Sequence, residues 1–122
     1  MPQYRSMDPA FPIEKQIGIA AAPVILINLF LLEEQDEDVF LEAWKDDATV
    51  MKRQPGFIST QLHRAVGASP AYLNYAIWQS TDHFRAAFHN PEFREKLSAY
   101  PSSAVAMPHL FQTVGVDGIC VA

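Results

Sequence analysis

The chain has 122 residues, a formal net charge of -5 and a hydrophobic fraction of 49%, which suits one domain with a buried core. The acidic balance and the lack of a basic run argue against nucleic acid as a partner. The single cysteine, Cys120, excludes an internal disulfide and a Cys-rich metal site, and it fits a reducing, cytoplasmic compartment.

The N-terminal part of the chain differs from the rest in composition. Residues 1–22 are proline-rich and are predicted to form an extended arm, and residues 23–122 are predicted to form the domain. The apolar segment Ile17–Leu32 is shorter than the ~20 residues that cross a bilayer, and Pro23 interrupts it. We therefore expect no interaction with a membrane.

Hydrophobic periodicity divides the domain into elements in the order β-α-β-β-α-β. The predicted elements are strand Val24–Leu32, helix Glu37–Gln54, strands Phe57–Val66 and Ala71–Ser80, a helix capped by Ser80 or Thr81, a short helix from Pro91 to about Tyr100, and strand Ala104–Val116. This order predicts an α+β, ferredoxin-like fold with an antiparallel four-stranded sheet, in which the first and third strands are central neighbours. Pro108 predicts an edge position for the last strand, because proline has no N–H to donate to a ladder.

The third predicted strand carries an unusual pair of polar side chains. Side chains alternate between the two faces of a strand, so Tyr72, Asn74, Ala76 and Trp78 share one face. An ordinary core needs neither an amide nor an indole N–H, and both groups require a hydrogen-bond partner when they are enclosed. A bound ligand or a water molecule on this face would supply such a partner.

The predicted hairpin extends this face to the second strand. With Gly67–Pro70 as the turn, His63 faces Asn74 and Ser59 faces Trp78. Imidazole titrates near neutrality, so His63 is a candidate general base or hydrogen-bond partner of a substrate.

The first strand adds one residue to the predicted patch, and the second helix carries two aromatic residues. Asn28 is the one polar residue of the first strand, which lies beside the third. Phe84 and Phe88 lie on the apolar side of the second helix. Asn28, His63, Asn74 and Trp78 are thus expected to line one patch.

Three segments of the chain resemble the antibiotic biosynthesis monooxygenase (ABM) family. They are Pro55–Ser59, Leu62–Arg64 and Asn74–Ser80, and the resemblance covers the chain from about residue 24 to about residue 116. It implies a dimeric α+β barrel, in which the sheets of two copies pack together. It also implies oxidation of an aromatic, anthrone- or phenol-like small molecule by O₂ without a metal or prosthetic group, as some members of the family perform it.

The resemblance also assigns roles to residues. Cofactor-free members use an Asn on the first strand and an Asn and a Trp on the third, which match Asn28, Asn74 and Trp78. With His63 added from the hairpin register, these four are the predicted catalytic residues. The predicted substrate-binding residues are Tyr72, Ser59, Phe84 and Phe88. The protein would position a deprotonated substrate and stabilise its anion while the substrate passes one electron to O₂.

Two other functions remain open at the level of the sequence. Haem-degrading members of the family ligate iron through a His of the second helix, so haem is the alternative cofactor. Here that position is Phe88, and His89 follows it, rotated by about 100° around the helix. The remaining alternative is a non-catalytic dimeric barrel that holds a small hydrophobic ligand. No metal site is predicted, because the His and acidic residues lack metal-ligand spacing.

Overall fold

The computed structural model describes residues 1–122 and shows an α+β protein built on one five-stranded sheet. The strands are β1 (Gln3–Tyr4), β2 (Val24–Leu31), β3 (Phe57–Arg64), β4 (Ala71–Trp78) and β5 (Val105–Phe111). The α-helices are α1 (Ile13–Gln16), α2 (Glu37–Lys52), α3 (Thr81–Phe88) and α4 (Pro91–Lys96). Short 3₁₀ turns precede α2 (Glu34–Asp36) and follow α4 (Leu97–Ala99).

The sheet has the strand order β1-β5-β2-β4-β3. Strands β2 and β4 are antiparallel neighbours at its centre, as the predicted topology requires. The prediction of an antiparallel four-stranded sheet is wrong in one respect, because β1 adds a fifth strand that runs parallel to β5. A two-residue strand has no periodicity of its own, so the hydrophobic pattern does not reveal it.

The first 22 residues, for which the sequence predicts an extended arm, contain β1 and α1 and pack on the domain. Ile13 and Ile17 are buried in the main hydrophobic core. The side chain of Gln16 ties the segment to β5, because its Oε1 accepts a hydrogen bond of 2.7 Å from the backbone N–H of Leu110. The N-terminal segment therefore closes one side of the sheet.

Pro108 lies where β5 has no outer neighbour. Strand β1 pairs only with Val105 and Ala106, so the rest of β5 is an edge. An edge position suits a residue without an N–H, as the sequence predicts. The strand ends at Phe111 instead of Val116, which forms an isolated bridge with Cys120.

Local sequence explains how the helices begin. Ser80 caps α3, where its side chain accepts a hydrogen bond from the N–H of His83. Asn90 caps α4, and Pro91 occupies its first turn, where no N–H is required. Gly56 precedes β3 with φ +85°, and a Cβ there would lie 2.2 Å from the His83 ring, so only glycine fits this approach.

The helices cover one face of the sheet. Tyr72, Ala76 and Trp78 point to the covered face and are buried in the main core. Leu73 and Tyr75 point to the opposite face, where they are half-buried and exposed respectively. The polar–aromatic face of β4 is thus the inner face of the domain. None of the helices has the length and apolar character that crossing a membrane requires.

Candidate active site

A pocket lies between the inner face of the sheet and helices α2 and α3. Its empty space, which includes open solvent at the mouth, is about 550 Å³. Its lining residues are Leu26, Asn28, Phe30, Trp44, Asp47, Ala48, Met51, Phe57, Thr60, Asn74, Ala76, Trp78, Phe84, Phe88 and Pro108. The walls are mainly apolar and aromatic, with a few polar groups.

Two asparagines face each other across the central strands of the sheet. Asn28 of β2 is the direct antiparallel partner of Asn74 of β4. The Asn74 Oδ1 accepts a hydrogen bond from the hydroxyl of Thr60, which leaves the Asn74 NH₂ as a donor. The Asn28 Oδ1 is buried and has no hydrogen-bond partner within the protein. Both amides therefore retain hydrogen-bonding capacity on the pocket side of the sheet.

Trp78 forms part of the pocket wall and is fully buried among aromatic rings. Its ring meets Phe57 edge-on at 5.5 Å between centroids and Phe84 at 5.9 Å. Its Nε1 is the second buried side-chain polar atom, besides the Asn28 Oδ1, that lacks a hydrogen-bond partner. A buried polar group without a partner costs about 1–3 kcal/mol, so both atoms suit a site whose ligand supplies the missing partners.

Asp47 of α2 contributes a carboxyl group to the same pocket. Its Oδ2 accepts a hydrogen bond of 2.6 Å from the Tyr100 hydroxyl. Burial raises the pKa of Asp47 to about 6 and outweighs the Tyr100 hydrogen bond, which lowers it. No sequence pattern singled out this residue, although it stands within the apolar stripe of α2, where a charge is unusual.

The chain matches known proteins over most of its length. The sequence profile of the family described as antibiotic biosynthesis monooxygenase matches residues 23–96. The chain belongs to the ABM family. It is 28% identical over 100 residues to deoxynogalonate monooxygenase of Streptomyces nogalater, an alignment that covers 82% of this chain and 84% of that one.

Solved structures of the ABM family share the fold. The crystal structure of SnoaB, a cofactor-independent oxygenase from Streptomyces nogalater, superposes with a TM-score of 0.72 at 26% identity and covers 80% of this chain and 99% of that one. A putative monooxygenase from Shewanella loihica superposes with a TM-score of 0.68 at 31% identity and covers 81% and 100% of the two chains.

The hairpin register predicted for this ABM protein is wrong by one residue. His63 pairs with Leu73 instead of Asn74, and Ser59 pairs with Ile77 instead of Trp78. The N–H of Ala65 donates a hydrogen bond to the carbonyl of Ala71. The connecting loop therefore consists of residues 66–70 and is one residue longer than the predicted turn. His63 and Ser59 consequently lie on the open face of the sheet, away from the pocket.

The other predicted substrate-binding residues lie on the inner side of the ABM domain. Phe84 and Phe88 line the pocket. Tyr72 shares the inner face but is not part of the pocket lining. Its hydroxyl donates a hydrogen bond of 2.7 Å to Glu37, and its ring packs on Phe40 at 4.9 Å between centroids. Tyr72 therefore joins β4 to the start of α2.

The site prediction did not include several residues of the pocket wall, among them two on α2 and two on β3. Trp44 belongs to the apolar stripe of α2, which periodicity assigns to the core without separating cavity wall from packing. Asp47 lies on the same stripe. Thr60 and Phe57 reach the pocket because of the true register and a β-bulge between Phe57 and Ser59.

The residues around the pocket do not match the haem ligation of some ABM proteins. No His is among the lining residues. His89 is exposed at the C-terminal cap of α3, while Phe88 occupies the pocket wall. No group of three or more His, Cys, Asp or Glu side chains could hold a metal ion.

Proposed function

We propose that this protein is a cofactor-independent monooxygenase that oxidises an aromatic, anthrone- or phenol-like small molecule with O₂. The observation that carries the proposal is the pair of unpartnered buried atoms, Asn28 Oδ1 and Trp78 Nε1, in an aromatic-walled pocket. A flat ring with oxygen substituents complements both features, because its faces pack on aromatic walls and its oxygens bond the polar atoms.

Related proteins support the reaction class. SnoaB is described as a cofactor-independent oxygenase, and the Streptomyces nogalater relative is named as a monooxygenase. Their identities to this chain, 26% and 28%, leave the substrate open. The chemistry of the pocket therefore defines the substrate class in this proposal.

In the proposed reaction the protein binds, orients and stabilises the substrate. The NH₂ group of Asn74 and the Nε1–H of Trp78 donate hydrogen bonds to substrate oxygens, where negative charge develops on deprotonation. The Asn28 Oδ1 accepts a hydrogen bond from a substrate hydroxyl. The ionised ring then transfers one electron to O₂, and the two radicals combine at the ring carbon.

Haem degradation is the alternative that the residues fit least. A haem site would need an axial ligand in the pocket, and His89 is exposed and is not among the lining residues. The first step of the test is therefore a titration with haemin, in which we expect no saturable shift of the Soret band.

The second step measures turnover, and we expect the purified protein to convert an anthrone to the anthraquinone in air. Quinone absorbance, corrected for autoxidation, follows the reaction, and a chelator should leave the rate unchanged. A rate equal to autoxidation with several anthrones and dihydroxynaphthalenes would contradict the proposal and favour the non-catalytic barrel.

The open face of the sheet supports a second proposal, a homodimer. Leu31, Tyr75 and Phe111 are exposed there, and Leu73 and Ile77 are only half-buried. Monomeric proteins rarely expose so continuous an apolar surface. A second copy of the chain, packed sheet to sheet, would cover it as in the α+β barrel that the family resemblance implies.

Light scattering tests the dimer, and we expect twice the mass of one chain. Leu73→Lys should convert the protein to a monomer, because it places a charge at the centre of the open face. Leu41→Lys, at an exposed position on α2, is the matched control and should remain dimeric. A monomeric wild type at micromolar concentration would contradict the proposal.

A further inference from the structure

We propose that Asp47 is the general base that removes the proton from the bound substrate. The inference rests on the proposed monooxygenase function and assigns the proton-transfer step to a residue for which neither the resemblance nor the hairpin register supplied a role.

The position of Asp47 is the first argument. It is the one titratable side chain among the residues that line the pocket, and it stands on α2, opposite the sheet that carries Asn28 and Asn74. His63, the base that the sequence suggested, lies on the other face of the sheet. A proton that leaves a substrate in this pocket therefore has one acceptor on the protein.

The hydrogen bonding of the carboxyl group is the second argument. Tyr100 donates to Oδ2, while Oδ1 receives no hydrogen bond from the protein. The hydroxyl thus fixes the orientation of the carboxylate and leaves one oxygen free, which makes Tyr100 a positioning residue. The three ion pairs of the protein involve other residues, so Asp47 has no ion-pair partner.

The electrostatic surroundings match the role. The titratable groups near Asp47 are the phenols of Tyr100 and Tyr4, and Arg94 of α4 lies close to Tyr4. Burial raises the pKa of Asp47 to about 6. A carboxyl group of this pKa is ionised at neutral pH and is a stronger base than an ordinary aspartate.

The step balances without a further reactant. A C–H bond of the anthrone methylene breaks, its proton goes to Asp47 Oδ1, and its electron pair stays on the ring as the anion. After the anion and O₂ have combined, the proton returns to the terminal peroxide oxygen. Loss of the remaining hydrogen on that carbon as a proton, with hydroxide as the leaving group, gives the quinone and water.

Asp47 would have a purely structural role if it served only to link Tyr100 to α2. An amide oxygen accepts the same hydrogen bond, so Asp47→Asn keeps the link and removes only the basic group. Asp46→Asn is the matched control, because Asp46 is the exposed neighbour on α2 and does not line the pocket.

The experiment separates proton transfer from oxygen chemistry by excluding O₂. An anthrone is mixed with each protein under nitrogen, and the absorbance of its anion is recorded. We expect the anion with wild type and Asp46→Asn, with a yield that rises with pH through about 6, and at least about 100-fold slower formation with Asp47→Asn. In air, Asp47→Asn should regain activity at a pH that ionises the anthrone in solution.

The outcomes distinguish the two proposals. If the anthrone anion forms only when Asp47 is present but no quinone forms in air, Asp47 is supported as the general base and the proposed monooxygenase function is contradicted. If Asp47→Asn forms the quinone at the wild-type rate and with the wild-type pH profile, Asp47 is not the general base, and the proposed monooxygenase function stands. A wild type that neither ionises nor oxidises the anthrone overturns both.

Discussion

Replacement of Asn28 by leucine is expected to lower kcat/KM for an anthrone about 100-fold and to raise the free energy of unfolding by about 1 kcal/mol. The activity falls because the substrate loses a polar partner whose orientation the sheet fixes. The stability rises because the buried Asn28 Oδ1, which has no hydrogen-bond partner within the protein, is replaced by an apolar group of similar shape. Steady-state kinetics and urea denaturation measure the two effects.

His63→Gln is the control for this prediction. The hairpin register places His63 on the open face of the sheet, so we expect kcat/KM within about 2-fold of wild type. The opposite pattern, with Asn28→Leu fully active and His63→Gln inactive, would show that the reaction does not use the pocket.

Asp47→Asn is expected to stabilise the protein by about 1–3 kcal/mol near pH 8 and to have little effect near pH 4. The folded-state pKa of Asp47 is raised to about 6 from an ordinary value of 3.8, so folding favours the protonated form. Its contribution to stability is therefore complete below about pH 4 and is lost as the pH rises through 6. Above that pH the wild type contains a half-buried carboxylate, whereas the variant contains a neutral amide.

Urea denaturation at several pH values measures this difference. Asp46→Asn, which changes an exposed carboxyl group on the same helix, should track the wild type at every pH. An Asp47→Asn variant that is less stable than wild type near pH 8 would show that the carboxylate is stabilising and its pKa is not raised. If Asp47→Asn is more stable than wild type and also loses proton transfer, Asp47 is retained for function at a cost in stability.

The sequence was sufficient to predict the element order and the inner face of β4. Alternating side chains placed Asn74 and Trp78 on one face, and the topology placed β2 beside β4, where Asn28 and Asn74 are now direct partners. The first inference holds because the alternation of side chains along a strand is a local property. The second holds because the handedness of crossover connections restricts how the strands can be ordered.

The hairpin register could not be predicted in the same way. The predicted register places Ile58, Leu62 and Leu73 together on one face, which is the apolar grouping that a covered face requires. The loop of residues 66–70 and the bulge after Phe57 shift the pairing, and Thr60 and Leu62 turn to the inner face in place of His63. Loop length and bulges depend on backbone geometry that composition does not specify.

The role of Asp47 is a second feature of the site that the sequence alone did not predict. Helical spacing is sufficient to place Asp47 on the apolar stripe of α2. Its role depends on the contact with Tyr100, 53 residues later in the chain, which spacing does not predict. Only the tertiary structure shows that the carboxyl group is half-buried at the pocket wall and is held by Tyr100 through one oxygen.

The most direct test of the account is the fate of isotopically labelled oxygen. The protein is incubated with an anthrone under ¹⁸O₂, and the quinone is analysed by mass spectrometry after subtraction of autoxidation. We expect one ¹⁸O atom in each quinone formed by wild type, and about 100-fold less labelled quinone with Asn28→Leu. Labelled quinone no greater than the autoxidation background, or equal yields from the two proteins, would contradict it.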